Sequence, residues 1–185
     1  ALNEETKKLY FAGKELESEG ELDVRLHFYP GLGAVPDYES ILHYKGDFAT
    51  EKVKVSGLKQ FIDGVTSTYT GFLLEPYADN ESTSGFIHYP KEVYEACTAE
   101  ANRAGLGVRF HSIADGSVRL ALDVFEAANR TNGNEKNRKE IRNSIEHCEN
   151  VHPDDIPRFA ELGVIASMQP YHLTLDNNEK IGRIG

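Results

Sequence analysis

Gly107-Val108-Arg109-Phe110-His111 is the stretch that decides the fold, because this short apolar run ends in a histidine and a helical pattern follows it directly. Apolar residues recur in that pattern at the spacing of one buried helix face. They are Val118, Ala121, Leu122 and Phe125. A strand followed by a helix is the repeating unit of a parallel α/β sheet, so the segment predicts an α/β fold.

The same unit recurs along the chain. Short apolar runs predict about five strands, at residues 24–29, 53–62, 107–111, 144–147 and 164–168. Helical patterns lie between them, at residues 3–19, 90–105, from 115 onward and near 154–162. This alternation indicates right-handed crossovers between parallel strands. It leaves open a doubly wound sheet or part of a (β/α)₈ barrel, since a whole barrel typically needs ~250 residues.

Three polar residues lie at or near the carboxyl ends of predicted strands: Lys59, His111 and His147. Active sites form at that edge of parallel α/β folds. His111 and His147 are about one βα unit apart, which places them on neighbouring strands. Two imidazoles on rigid neighbouring strands suit a zinc-like cation. The predicted loop at residues 63–89 is long, and long loops in compact domains are usually functional.

Composition limits the class of protein. The net charge of −10 argues against nucleic acid as a partner, because phosphate binding requires a basic surface. No apolar run reaches the roughly 20 residues of a membrane-spanning helix. Cys97 and Cys148 are too few for a disulfide framework, and the first residues do not resemble a signal peptide. We therefore expect a cytoplasmic protein with reduced thiols and no membrane partner.

Four segments in fixed order carry more specific information. They are Leu58-Lys59-Gln60-Phe61-Ile62-Asp63-Gly64 continuing to Glu75-Pro76-Tyr77, then Phe110-His111-Ser112-Ile113-Ala114-Asp115, then Ile145-Glu146-His147-Cys148, and Ala166-Ser167-Met168-Gln169-Pro170-Tyr171-His172. Together they resemble the amidohydrolase-3, or YtcJ-like, family. The resemblance implies a partial (β/α)₈ TIM barrel with parallel strands 3 to 7 and outer helices. Residues 1–185 would then be a single partial barrel domain of a longer protein.

The resemblance also implies a chemistry. Family members hydrolyse an amide-type C–N bond in a small molecule with water activated by one or two divalent cations, for which zinc is expected. Lys59, His111 and His147 would be the ligands on strands 4, 5 and 6. A lysine ammonium has no lone pair, so Lys59 would need to be carboxylated to coordinate.

Further residues are candidates for supporting roles. Asp63, Gln169 and His172 lie just after strands and are expected to contact substrate. Asp115 and Glu146 are expected to support the ligands from behind, although Asp115 is also well placed to cap a helix. By strand alternation, Glu146 should face away from His147.

The family's strand-1 His-x-His pair and its strand-8 Asp have no counterpart in this sequence. We therefore assign no catalytic base and expect the segment alone to be inactive. Its open barrel edges invite self-association. Two alternatives remain at this point: a non-catalytic metal-binding or partner-binding α/β module, and a complete doubly wound domain. The second lacks the G-x-G-x-x-G loop that would favour it.

Overall fold

The structure is a computed structural model that describes residues 3–33, 38–133, 141–174 and 177–185. Its helices are α1 (Glu4–Ser18), α2 (Tyr38–Gly46), α3 (Lys91–Arg103), α4 (Asp115–Asn132), α5 (Ile156–Leu162) and α6 (Asn177–Ile184). Its strands are β1 (Leu26–Phe28), β2 (Val53–Val55), β3 (Leu58–Phe61), β4 (Val108–Ser112), β5 (Ser144–His147) and β6 (Ile165–Met168). Short 3₁₀ helices lie at Thr66–Thr68, Pro153–Asp155 and Pro170–Leu173.

Every strand pairs in parallel with its neighbour. β1 pairs with β2, and β3, β4, β5 and β6 form a four-stranded sheet in that order. A bridge between Gly31 and Lys59 joins the two sheets, and the amide of Lys59 donates to the carbonyl of Pro30 at 2.9 Å. The α/β prediction is confirmed, and the strands form part of a parallel barrel wall.

The predicted strand at residues 53–62 appears as two strands, β2 and β3. The break falls at Ser56 and Gly57, where the chain changes its pairing partner from β1 to β4. A Cβ atom on Gly57 would lie 2.5 Å from the carbonyl oxygen of Gly107, so only glycine allows this close approach.

The helix-facing side of the sheet is apolar. Phe110 of β4 is fully buried between Tyr94 of α3 and Phe125 of α4, with ring centroids 5.6 and 5.1 Å away. Ile145 of β5 is also fully buried. Burying one such side chain contributes about 1.5–3 kcal/mol, so this layer fixes the orientation of the strands.

Helix termini were predicted with mixed success. The side-chain oxygen of Asn3 accepts from the amide of Thr6 at 2.7 Å, which confirms the predicted cap of α1. The prediction that Asp115 caps α4 is wrong, because Ala114 occupies the cap position. A carboxylate oxygen of Asp115 instead accepts from the amide of Leu74, at 3.1 Å, and so holds the long loop against α4.

The long loop between β3 and α3 lies over the carboxyl ends of the strands. The buried Tyr77 hydroxyl donates to the carbonyl of Gly71 at 2.8 Å, and Gly85 has a φ of 84° where it passes Gly71. The amide of Ala78 donates to the carbonyl of Arg183 in α6, at 2.7 Å. The loop and α6 therefore pack against each other.

The sequence pattern missed α2 and α6. In α2 one residue is buried, Ile41, and its apolar residues form no distinct stripe. α6 has only eight residues, most of them polar, which is too short a pattern to predict a helix. No helix in the described parts of the chain is long and apolar enough to cross a membrane.

Candidate metal centre

His111 lies near the carboxyl end of β4 and is 8% exposed. Its Nε2 lies 3.0 Å from the carbonyl oxygen of Gly64. Because a carbonyl only accepts, Nε2 carries the hydrogen and Nδ1 keeps the lone pair. Burial, helped by the charge of Lys59, lowers the pKa of His111 despite the hydrogen bond to Gly64. The ring is therefore neutral, as a metal-ligating imidazole must be.

His147 ends β5 in an unusual backbone conformation. Its φ is 74° and that of Cys148 is 48°, values that non-glycine residues rarely adopt. The two rings of His147 and His111 lie 4.4 Å apart between centroids. The Nδ1 of His147 lies 3.0 Å from the amide oxygen of Gln169, which leaves Nε2 as the acceptor nitrogen. Burial and then His111 lower the pKa of His147.

Glu146 faces the inside of the barrel wall, where its carboxylate contacts the Lys59 ammonium and lies 3.2 Å from Arg109. The expectation that Glu146 faces away from His147 is wrong. Alternation requires regular strand geometry, and the positive φ of His147 breaks it at that residue. Glu146 does hold its neighbours in place, as expected for a supporting residue.

Lys59 points into the same interior space. Burial and then the Arg109 charge lower its pKa to about 8, while the Glu146 carboxylate favours the charged form. The Lys59 charge also depresses the pKa of His111 and His147. The structure thus brings the three predicted ligands to one edge of the sheet. Their role as ligands stays a prediction.

Asp63 is fully buried, and its predicted contact with substrate stays a prediction. Its carboxylate accepts from the amides of Ile113, Ala114 and Phe72 at 3.1, 3.2 and 3.1 Å. Burial raises its pKa in spite of these hydrogen bonds. One oxygen lies 3.9 Å from Nε2 of His111. Asp63 therefore ties the ends of β3 and β4 together behind His111.

Gln169 and His172 border a cavity of about 210 Å³ beyond the end of β6. Gln169 orients His147, as described above. Nδ1 of His172 lies 2.7 Å from one oxygen of Glu149, and Lys180 of α6 donates to the other oxygen at 2.7 Å. Whether Gln169 and His172 also contact substrate stays a prediction.

Glu149 was missed by the sequence reasoning. One ligand atom each from His147, Glu149 and His172 lies within 4.8 Å of the others, a group that could hold a metal ion. The signal was the His147-x-Glu149 spacing, which regular strand alternation would have placed on one face.

The donor set fits a divalent cation of the zinc type. Two neutral imidazoles each keep one acceptor nitrogen, and each has its other nitrogen held by an oxygen, as ligating histidines usually do. In (β/α)₈ barrels the active site lies at this carboxyl edge of the parallel strands.

Comparison with known sequences identifies the group. The sequence model of the Amidohydrolase family matches residues 3–185, so the chain belongs to this family. The chain is 30% identical over 141 residues to Protein LONG AFTER FAR-RED 3 of Arabidopsis thaliana, covering 76% of the chain and 24% of that protein. It is 25% identical over 166 residues to the putative amidohydrolase YtcJ of Bacillus subtilis (strain 168), covering 90% of the chain and 29% of that protein.

Solved structures agree with this assignment. Two uncharacterized metal-dependent hydrolases, from Pyrococcus furiosus and Pyrococcus horikoshii OT3, are each 31% identical to the chain. The TM-scores are 0.78 and 0.79, and all of the chain is covered. The chain spans 36% and 35% of these structures and under a third of the curated relatives.

Proposed function

We propose that this chain is the central part of a metal-dependent hydrolase barrel that cleaves an amide-type C–N bond in a small molecule. One observation carries the proposal: His111 and His147 end neighbouring strands with their rings 4.4 Å apart, and Lys59 faces the same space. The family and the metal-dependent hydrolases similar to the chain support it. Because the chain spans only part of its relatives, the activity belongs to a longer protein of which residues 1–185 form one partial domain.

The two histidines are positioned to hold a cation through Nδ1 of His111 and Nε2 of His147. The Gly64 carbonyl and the Gln169 amide fix the tautomers that leave those nitrogens available. A bound divalent cation, for which we propose zinc, would lower the pKa of its bound water and polarise the scissile carbonyl. Whether one or two ions are held depends on ligands beyond these residues.

Lys59 is the proposed third ligand, as a carboxylated side chain. In that reaction the neutral amine adds to the carbon of CO₂ and loses a proton, which gives an anionic carbamate. With a pKa of about 8, roughly a tenth of the Lys59 amine is neutral at pH 7, far more than for an exposed lysine. Arg109 beside Glu146 supplies positive charge that offsets the two neighbouring anions.

Self-association through the open sheet edges is a further proposal. Among the described residues β6 pairs only with β5, and Ile165 and Met168 on it are 42% and 59% exposed. An unpaired strand with exposed apolar side chains favours pairing with another copy. Light scattering of the 185-residue chain should report a species larger than a monomer, and a monodisperse monomer would contradict this.

Cys97 and Cys148 are buried and not disulfide-bonded, consistent with the proposed cytoplasmic location.

The activity is tested on the longer protein with a panel of N-acyl and other small amides. We expect hydrolysis that a chelator removes and zinc restores. His111→Asn and His147→Asn should each lower kcat/KM by about 10²-fold or more, because each removes a proposed ligand. His27→Asn is the matched control, since His27 is exposed on β1 and bonds Ser56 at 2.6 Å. Hydrolysis that resists chelation, or wild-type kcat/KM in His111→Asn, would refute the proposal.

A further inference from the structure

We propose that His147, Glu149 and His172 form an alternative cation site at the rim of the barrel, which shares His147 with the Lys59–His111 side and takes a zinc-like divalent ion. The three residues come from the end of β5 and from the short helix after β6. One ligand atom from each lies within 4.8 Å of the others.

The geometry is close to that of a bound ion. Bonds of ~2.0–2.2 Å in a tetrahedral site place ligand atoms roughly 3.4 Å apart, so side-chain movements of about 1 Å would close the group. The rings of His147 and His172 are nearly parallel, at 10° and 5.9 Å between centroids. Nδ1 of His172 lies 2.7 Å from a Glu149 oxygen, and two nitrogens with one oxygen make a common zinc donor set.

Neighbouring groups hold the Glu149 carboxylate in place. Lys180 occupies one carboxylate oxygen and leaves the other to face His172. Ligating carboxylates commonly have such an outer partner, which fixes their orientation.

The rim site and the proposed catalytic centre share His147. A neutral imidazole has one free nitrogen, so His147 binds an ion at only one of the two positions at a time. His147 lies between the two, with the His111 ring at 4.4 Å on one side and the His172 ring at 5.9 Å on the other. The catalytic position needs His111 and Lys59. The rim position needs Glu149 and His172. The rim group borders the 210 Å³ cavity, which gives an ion a path to it.

Zinc titration of the 185-residue chain, followed by the imidazole NMR signals of individual histidines, tests the proposal. We expect the His172 and His147 signals to shift together in the wild type. Glu149→Gln and His172→Asn should weaken the apparent zinc affinity read at His147 by about tenfold or more. The matched controls Glu92→Gln on α3 and His43→Asn on α2, both away from the cavity, should leave it within about twofold.

Several results would overturn the rim site. One is a His172 signal that stays unchanged at zinc concentrations that shift the His147 signal. Another is a Glu149→Gln variant, folded by circular dichroism, with wild-type affinity at His147. The His172 signal of the wild type tests the proposal even if a variant fails to fold. In His111→Asn the His172 response should persist, and its disappearance would assign all binding to the catalytic centre. If zinc leaves only the His111 signal unchanged, this result contradicts the proposed function and not the rim site.

Discussion

The two faces of the β3–β6 sheet differ sharply. Towards the helices, Phe110 and Ile145 are apolar and fully buried. Towards the barrel interior, the same strands carry Lys59, Arg109 and Glu146 in one ionic network. The outer face stabilises the fold, because apolar burial is favourable wherever the shape fits. The inner face is costly, since partly buried ions lose hydration that their pairing only partly restores. The residues of this charged interior are therefore candidates for chemistry rather than for stabilising the fold.

The largest expected effect lies on the outer face. Phe110→Ala should lower the free energy of unfolding by about 3–5 kcal/mol, because it leaves a cavity between α3 and α4. Urea denaturation measures this loss. Phe110→Leu fills most of the volume and should lose much less. If both variants unfold at the wild-type midpoint, the outer face does not stabilise the fold as argued.

A smaller effect is expected where the two faces meet. Asp63→Ala should destabilise the chain by about 3 kcal/mol, since it leaves three buried amide donors without an acceptor. Asp63→Asn keeps one acceptor oxygen and should fall between the wild type and Asp63→Ala. Equal stability of Asp63→Ala and the wild type in urea would show that the carboxylate does not tie these strand ends together.

A substitution on the inner face should affect the pKa of Lys59 more clearly than the free energy of unfolding. Glu146→Gln should cost about 1–2 kcal/mol, because Lys59 and Arg109 lose their shared carboxylate. The same change should lower the pKa of Lys59 further, since a carboxylate favours the ammonium. The pH dependence of Lys59 modification by an amine-reactive reagent measures this shift. The exposed Glu4→Gln is the control, and a raised pKa in Glu146→Gln would contradict the network.

The smallest effect concerns pH. Burial lowers the pKa of His111 and His147 in the folded chain below the usual value of 6.5. Below that value the unfolded chain binds more protons at these two histidines than the folded chain does. The free energy of unfolding therefore falls as the pH falls below it, and at higher pH this loss is absent. His111→Asn should flatten the fall in melting temperature between about pH 7 and 5.5, measured with a chelator present. An unchanged or steeper fall would contradict this account.

The sequence was informative where one local rule decides the outcome. Short apolar runs predicted the strands and helical spacing predicted most of the helices, since burial of the outer face imposes both patterns. The carboxyl ends of parallel strands share one edge of the sheet. The sequence could therefore predict that Lys59, His111 and His147 lie close together. The prediction that Asp115 caps α4 failed because the tertiary contact with Leu74 competes with capping.

The rest of the site depends on backbone geometry that no pattern reveals. The positive φ at His147 and Cys148 turns the chain so that Glu146 and His147 both reach the interior. Non-glycine residues rarely adopt such values, so regular alternation was the natural expectation. The link from Glu149 to Lys180 joins residues from distant elements, and only packing places them side by side.

The central claim is that Lys59, His111 and His147 hold one cation between them. Anomalous diffraction at the zinc absorption edge, on crystals of the longer protein grown with zinc, tests it most directly. We predict a peak about 2.0–2.1 Å from Nδ1 of His111 and Nε2 of His147, with Lys59 reaching the ion through added carbamate density. A peak that avoids His111, or no peak near either imidazole in protein that is active, would contradict the claim.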